Sequence, residues 1–298
     1  MMNCPKPLFL FLSFIFNMQV TAQQSLIDNI ESKEEALSFL QSEINQNYTF
    51  KDIFTNSDKP NSPEVIKEQF LKIDLDQDGS KDLLLYGKFL GAVMNRDGRD
   101  FEFHYLDFGR FAYMSYDLIK LDSIAEYDNQ PSLIVRHHPN YNEYVDVNDT
   151  SEIEIIYKFG NFIPYNSSFE NKSFKEITFR TTACFGRCPI FKITINENGL
   201  TYYEATKFNA LSGNFKTQLD EFTIEHLNSF ISYLSLEELP EKYADIATDL
   251  PTSYLSITYS DNKEKHFRDY GRIGPFQLHA LYNYLFKLRK NGNWIKTE

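Results

Sequence analysis

Residues 189–205 read PIFKITINENGLTYYEA, and no other stretch narrows the fold so far. Apolar and polar side chains alternate on both sides of Asn198-Gly199, the dipeptide best suited to the left-handed residues of a tight hairpin turn. An antiparallel ladder of this kind has one face to cover. The flanking sequence offers the cover. KEITFRTT (175–182) reads as a further strand. A helix then follows a Thr223 cap, with Phe222, Leu227, Phe230, Ile231 and Leu234 at core spacing. SYLSITYS and KEKHFRDY flank Asp261-Asn262 as a second hairpin. The last helix opens at Pro275 as its first helical residue and carries Leu278, Leu281, Leu285 and Leu288 on one stripe. It ends with Lys287, Arg289 and Lys290 before Gly292. Residues 174–298 are therefore expected to form a small antiparallel sheet with two helices on one face.

The first half reads differently. Ser32 and Glu35 stand at capping-box spacing, followed by Leu37, Leu40 and Ile44 on one face, which predicts a helix over 33–45. TNSDKPNSPE (55–64) is a polar loop with two prolines. EQFLKIDL, DLLLYGKFL, FEFHYLDF, SLIVRHH and EIEIIYKFG are short, aromatic and strand-like, as suits a chain with 16% aromatic residues. A β-rich domain with a leading helix is expected over 23–164. The unpatterned segment YNSSFENKS (165–173) is read as a linker, and the fold class is α+β.

MMNCPKPLFLFLSFIFNMQVTAQQ opens the chain with one cation, Lys6, an apolar run from Leu8 to Phe16, and small residues at Val20 and Ala22. The pattern predicts a secretory signal over 1–22, cleaved after Ala22. The run falls well short of the ~20 residues of a membrane-spanning helix, and Cys4 precedes it, where a lipid-modified cysteine would have to follow. No later stretch is long and apolar enough to span. The expected product is soluble and periplasmic or secreted. Removal of the leader takes away Lys6 and no acid, moving the net charge from -12 to -13. So acidic a chain, without a basic stripe, is not expected to bind nucleic acid.

Two constellations carry chemistry. In DLDQDGSKDLLL (74–85), Asp74, Asp76 and Asp78 alternate, Gly79 permits a sharp turn, Ser80 offers a carbonyl and Asp82 takes the ninth position of a calcium loop. Clustered carboxylates repel one another, and a hard dication with oxygen ligands relieves that. The twelfth position, where an EF-hand needs glutamate, is Leu85, and strand-like segments replace the helices. The stretch resembles the aspartate-rich loops of integrin-type (FG-GAP-like) repeats. That resemblance implies a structural calcium ion held by Asp74, Asp76, Asp78 and Asp82 with the Ser80 carbonyl. A propeller needs several copies, and MNRDGRDF (94–101) shares only Asp97-Gly98 with this one.

The second constellation is TTACFGRCP (181–189), which holds the two cysteines left after processing. In an exported chain a Cys184–Cys188 disulfide is the leading reading, with Gly186 giving the loop its freedom. The alternatives are a redox pair activated by Arg187, and a zinc site completed by distant histidines. From Ile177 to about Lys290 the chain resembles a family of exported bacterial domains of unknown function marked by C-x-G-x-C-P. Cys184, Gly186, Cys188, Pro189, Phe191, Gly199, Tyr203, Tyr243, Thr248, Asp249 and Pro251 carry the likeness. The resemblance implies export and no particular activity. Arg187, Tyr243 and Asp249 are candidates for a small ligand site.

No G-x-S-x-G, H-E-x-x-H or phosphate-binding glycine loop is present. His137 and His138 are adjacent and would point to opposite faces of a strand, while His104, His226, His266 and His279 stand singly. An Asp249-His266-Ser253 hydrolase rests on composition alone. The leading expectation is a non-catalytic exported module that binds a protein, glycan or small ligand through its aromatic surface. The alternative is an envelope enzyme or thiol-redox factor using the Cys184 and Cys188 region.

Overall fold

A computed structural model describes residues 25–54, 69–106, 119–127, 130–137 and 151–297. The leader and the 55–64 loop lie outside them. The first half builds two four-stranded antiparallel meanders. One is β1 (Phe70–Ile73), β2 (Asp82–Tyr86), β3 (Leu90–Asn95) and β4 (Phe101–Tyr105); the other is β5 (Ile119–Tyr127), β6 (Gln130–His137), β7 (Ser151–Lys158) and β8 (Asn161–Pro164). Ahead of them run α1 (Lys33–Glu43) and the single turn α2 (Phe50–Ile53).

Layering accounts for the leucine run at 83–85. Leu83 and Leu85 join Phe39, Leu40 and Ile53 in a core beneath the two helices, while Leu84 points the other way, into a core shared with Leu133, Val135 and Ile155 of the second meander. Both faces of β2 and β3 are covered, so period-two alternation is lost there. DLLLYGKFL, which reads as one run, is two strands. Gly87 interrupts it, and a Cβ there would stand 2.5 Å from the Ile53 carbonyl oxygen. Helix α1 ends two residues before the expected Asn45. Its Ser32 cap accepts from the Glu35 amide as expected, but the Glu35 carboxylate reaches the Glu31 amide.

The second half builds an eight-stranded sheet. In chain order its strands are β9 (Phe174–Thr181), β10 (Ile190–Asn196), β11 (Leu200–Lys207), β12 (Gly213–Gln218), β13 (Lys242–Ala244), β14 (Thr252–Tyr259), β15 (Glu264–Tyr270) and β16 (Ile295–Lys296). In space the order is β13-β15-β14-β9-β10-β11-β12-β16. All pairings are antiparallel except that of β13 with β15, which departs from the wholly antiparallel sheet expected. Gly199 sits at φ +82 in the predicted turn, with Leu200 facing Gln218 beyond it.

Helices α3 (Glu221–Leu234) and α4 (Phe276–Asn291) share one core with Phe179, Phe191, Ile193 and Leu255 of this sheet. The cap of α3 is Asp220, whose carboxylate accepts from the Thr223 amide, so Thr223 is inside the helix rather than at its cap. That shift turns Phe222 outward, 77% exposed, instead of into the core. Pro275 is the cap of α4 rather than its first helical residue. Ile156 and Ile163 of the second meander reach the same helical layer, and Phe276 of α4 enters the first-half core. The segment 165–173 runs along α3. Asn166 Nδ2 donates to the Tyr233 carbonyl and the Lys172 amide donates to Ser232 Oγ.

Candidate functional site

The acid loop joins β1 to β2 just past the Ile73–Asp82 pair. Gln77 and Gly79 both take left-handed backbone conformations, at φ 63 and 92, and fold the loop over itself. The Gly79 amide donates to Asp74 Oδ2 at 3.0 Å, the Asp78 amide to Asp76 Oδ1 at 3.3 Å, and the Ser80 amide to Asp78 Oδ1 at 2.7 Å. These bonds hold the three side chains so that one oxygen of each lies within 4.8 Å of the others. One cation reaches the rim of the group: Arg96 Nη1 stands 3.9 Å from Asp76 Oδ2, a loose ion pair with one of the three acids. Burial and the charge of Asp78 push the Asp76 carboxyl up from its usual range.

Asp82 has another task. It is fully buried, and its two oxygens accept from the Leu75 and Asn95 amides, each at 2.8 Å. Burial pushes its pKa up to about 7, with the Asp76 and Asp74 charges adding to the rise and the two amides opposing it. It braces the base of the loop, and the three leading acids form the converging group. Asp74 Oδ1 is buried with no hydrogen-bond partner among the described residues. The carboxylate is paired through Oδ2 alone, so Oδ1 keeps an acceptor site that a cation could fill. Asp74, Asp76 and Asp78 can therefore hold a metal ion, and an all-oxygen donor set suits a hard divalent cation. The segment at 94–101 is no second copy. There Asp97 spends its Oδ1 on the Arg99 and Asp100 amides.

In the loop between β9 and β10, Cys184 and Cys188 stand at disulfide distance, their Cα atoms 5.7 Å apart. Their loop is stitched to the turn before β14. The Phe185 amide donates to the Asp249 carbonyl at 3.0 Å, and the Thr252 amide to Thr182 Oγ1 at 2.8 Å. Asp249 is exposed and lies at φ 63, so it contributes through its backbone as a turn former. Arg187 is also exposed, and Phe185 at the loop tip is 93% exposed. Tyr243, the third candidate for a ligand site, is instead buried in the core on β13.

Behind this loop lies a buried polar cluster without any motif in the sequence. Asp269 on β15 is fully buried and accepts from the Ile273 and Gly274 amides at 2.9 and 3.1 Å. A Cβ on Gly274 would meet Asp269 Oδ2 at 2.7 Å, so only glycine lets that amide approach. Burial raises the Asp269 pKa to about 6, against the pull of the two amides and the Arg272 charge. Arg272 Nε donates to Ser253 Oγ at 3.3 Å while its guanidinium lies over the Phe286 ring. His279 is driven down to about 4 by burial and then by Arg272, which makes it a neutral imidazole near pH 7.

These contacts dismantle the Asp249-His266-Ser253 arrangement. Ser253 is fully buried beside Arg272, and His266 lies on the sheet face away from the helices, where Nδ1 bonds Ser256 and Nε2 faces Glu264 at 3.1 Å. Ser256 and His266 are directly opposed on β14 and β15, a pairing that only the strand register reveals.

A disulfide-closed loop on a helix-covered sheet describes the class of domain that fills the second half. Residues 175–289, from β9 into α4, match a family described as Domain of unknown function (DUF6438). Comparisons with curated proteins and with solved structures found no match.

Proposed function

We propose that this chain is an exported, non-catalytic binding module with two staples: a calcium ion held by Asp74, Asp76 and Asp78 above Asp82, with the Ser80 carbonyl, and the Cys184–Cys188 disulfide. The observation that carries the reading is the orphaned Asp74 Oδ1 within a converging acid group. Calcium suits it better than zinc because every donor is oxygen, and better than magnesium because an irregular loop of this kind can fill a flexible shell. The loop end of the second half presents Phe185 and Arg187 to solvent, and Tyr202 stands out on the sheet face away from the helices. Exposed aromatic side chains of this kind suit a protein, glycan or small ligand. Among the described residues no helix is long and apolar enough to cross a membrane, which is compatible with an exported product.

The test is a thermal melt of residues 23–298 in calcium and in chelator, each with and without reductant. Separate upward shifts from calcium and from the intact disulfide are expected, since a ligand that binds only the folded state stabilises it. An identical melt in calcium and chelator would sink the metal reading.

A further inference from the structure

The chain after α4 folds back over the edge of the eight-stranded sheet, and β16 adds to β12 with Lys216 facing Ile295. Gly292 permits this return: a Cβ there would stand 2.8 Å from the Trp294 ring. The indole turns inward onto Tyr203, with ring centroids 4.9 Å apart, and its Nε1 donates to the Arg289 carbonyl. Between the tail, the end of α4 and the β11–β12 connection opens a cleft of about 840 Å³.

Its walls are of two kinds. Phe208, Leu211 and Ile295 offer apolar surface and remain 44%, 38% and 65% exposed. Covering what remains exposed of these side chains would favour an apolar ligand body. Arg289 and Lys290 supply positive charge, and among the described residues no carboxylate lines the cleft, although the chain as a whole carries a net charge of -12. Neither cation is held in an ion pair among the described residues. Arg289 donates through Nη1 to Asn209, and its guanidinium lies over Phe191 and Phe286. Its position is thereby fixed before any ligand arrives, which lowers the cost of binding.

From this juxtaposition we infer that the cleft between the β11–β12 connection, the end of α4 and the returning tail binds a small amphipathic anion, an acyl or aryl carboxylate. Its apolar body lies against Phe208, Leu211 and Trp294, and its carboxylate faces Lys290 and Arg289. The inference deepens the reading of the chain as a binding module and rests on it.

Trp294 is the single tryptophan of the chain, so its fluorescence reports this cleft alone. Dodecanoate, kept below its micelle-forming concentration, is titrated into residues 23–298 in calcium, with dodecyltrimethylammonium as a probe of equal chain length and opposite charge. A saturable change in Trp294 emission with dodecanoate is expected, with binding at least about tenfold weaker in Lys290→Glu, the size expected for losing one charge-assisted contact. Leu211→Asp, at a half-exposed site outside the core, is expected to weaken binding comparably. An unchanged emission, or an equal response to the cationic probe, overturns the proposal. The calcium melt is run on the same sample. A silent Trp294 with the calcium shift intact removes the anion site and leaves the stapled scaffold standing.

Discussion

Asp82 and Asp269 are the same device installed in two different electrical settings. Each is fully buried, and each ties down the loop beside it by accepting two backbone amides. Burial raises both. Around Asp82 the next charges are Asp76 and Asp74, which push it further, to about 7. Around Asp269 the nearby charge is Arg272, which pulls the other way, and the rise stops at about 6. The second-half clamp thus carries its own counter-charge, whereas the first-half clamp sits under a cluster of three acids that meets only the loose Arg96 contact at Asp76 among the described ion pairs. A metal ion, which the acid loop could hold, and a tethered arginine would be two solutions to one problem of buried negative charge.

The sharpest way to break the comparison is at Asp269. Asp269→Ala leaves two buried amides without an acceptor and Arg272 without its neighbour, and should cost about 3–5 kcal/mol. Urea denaturation reads this as a lower midpoint with an unchanged slope. A loss below about 1 kcal/mol, the size of an ordinary hydrogen bond, would mean that Asp269 holds nothing together. The pH dependence has a definite sign. The folded carboxyl is raised from 3.8 to about 6, so the native state binds the proton more tightly than the unfolded chain. The stability this contributes is complete below the unfolded value and is lost as pH rises through the folded one. Asp269→Asn should flatten that fall relative to wild type. Parallel profiles across this window would show that another group carries it.

The second effect is smaller and tests the other clamp. At a free calcium concentration a hundredfold above the dissociation constant, stabilisation should be about 2.7 kcal/mol. Asp76→Asn should act in opposite directions in the two conditions: neutral or slightly stabilising in chelator, where it relieves crowding with Asp78, and destabilising in calcium, where a ligand is lost. Differential scanning fluorimetry in both buffers separates the two. Asp269→Ala should show no such reversal. If it did, the two loops would be coupled through the shared cores rather than independent.

What the sequence disclosed follows the range of the forces involved. Signals that act within a few residues were legible: the Ser32 cap, the Asn198-Gly199 turn, the leucine stripe of α4 and the spacing of Asp74, Asp76 and Asp78. Contacts set by packing were not. Thr223 and Asp220 are both good caps by sequence, and the fold uses Asp220, which leaves Phe222 outside the core. The run at 83–85 has no period because two layers cover it, a fact about the second meander rather than about β2. Asp82 matched a ligand position by spacing, yet Asn95 from β3 claims one of its oxygens. The Asp269 cluster has no motif, since its amides come from a glycine-bearing loop and Arg272 meets Ser253 only through the β14–β15 register.

The smallest effect concerns the covalent staple. Cys184 and Cys188 are separated by only four positions, so cross-linking removes little freedom from the unfolded chain, worth ~2 kcal/mol in the entropy model. Several contacts would outlast it. Thr181 Oγ1 donates to the Pro189 carbonyl at 2.6 Å, and the Phe185 amide still has the Asp249 carbonyl. A Cys184→Ser, Cys188→Ser variant should therefore lose about 2 kcal/mol and retain both the calcium shift and the Trp294 response to dodecanoate. Arg187→Ala should change stability by less than ~0.5 kcal/mol, as for other exposed side chains. The redox alternative predicts something else: cysteines that cycle between thiol and disulfide in the cell, and a phenotype from the double serine variant far larger than its loss of stability. Thiol trapping in cells distinguishes the two. A pair found wholly oxidised under every growth condition fits a staple, whereas a mixed population would move the chemistry of this protein from its acid loop to its cysteine loop.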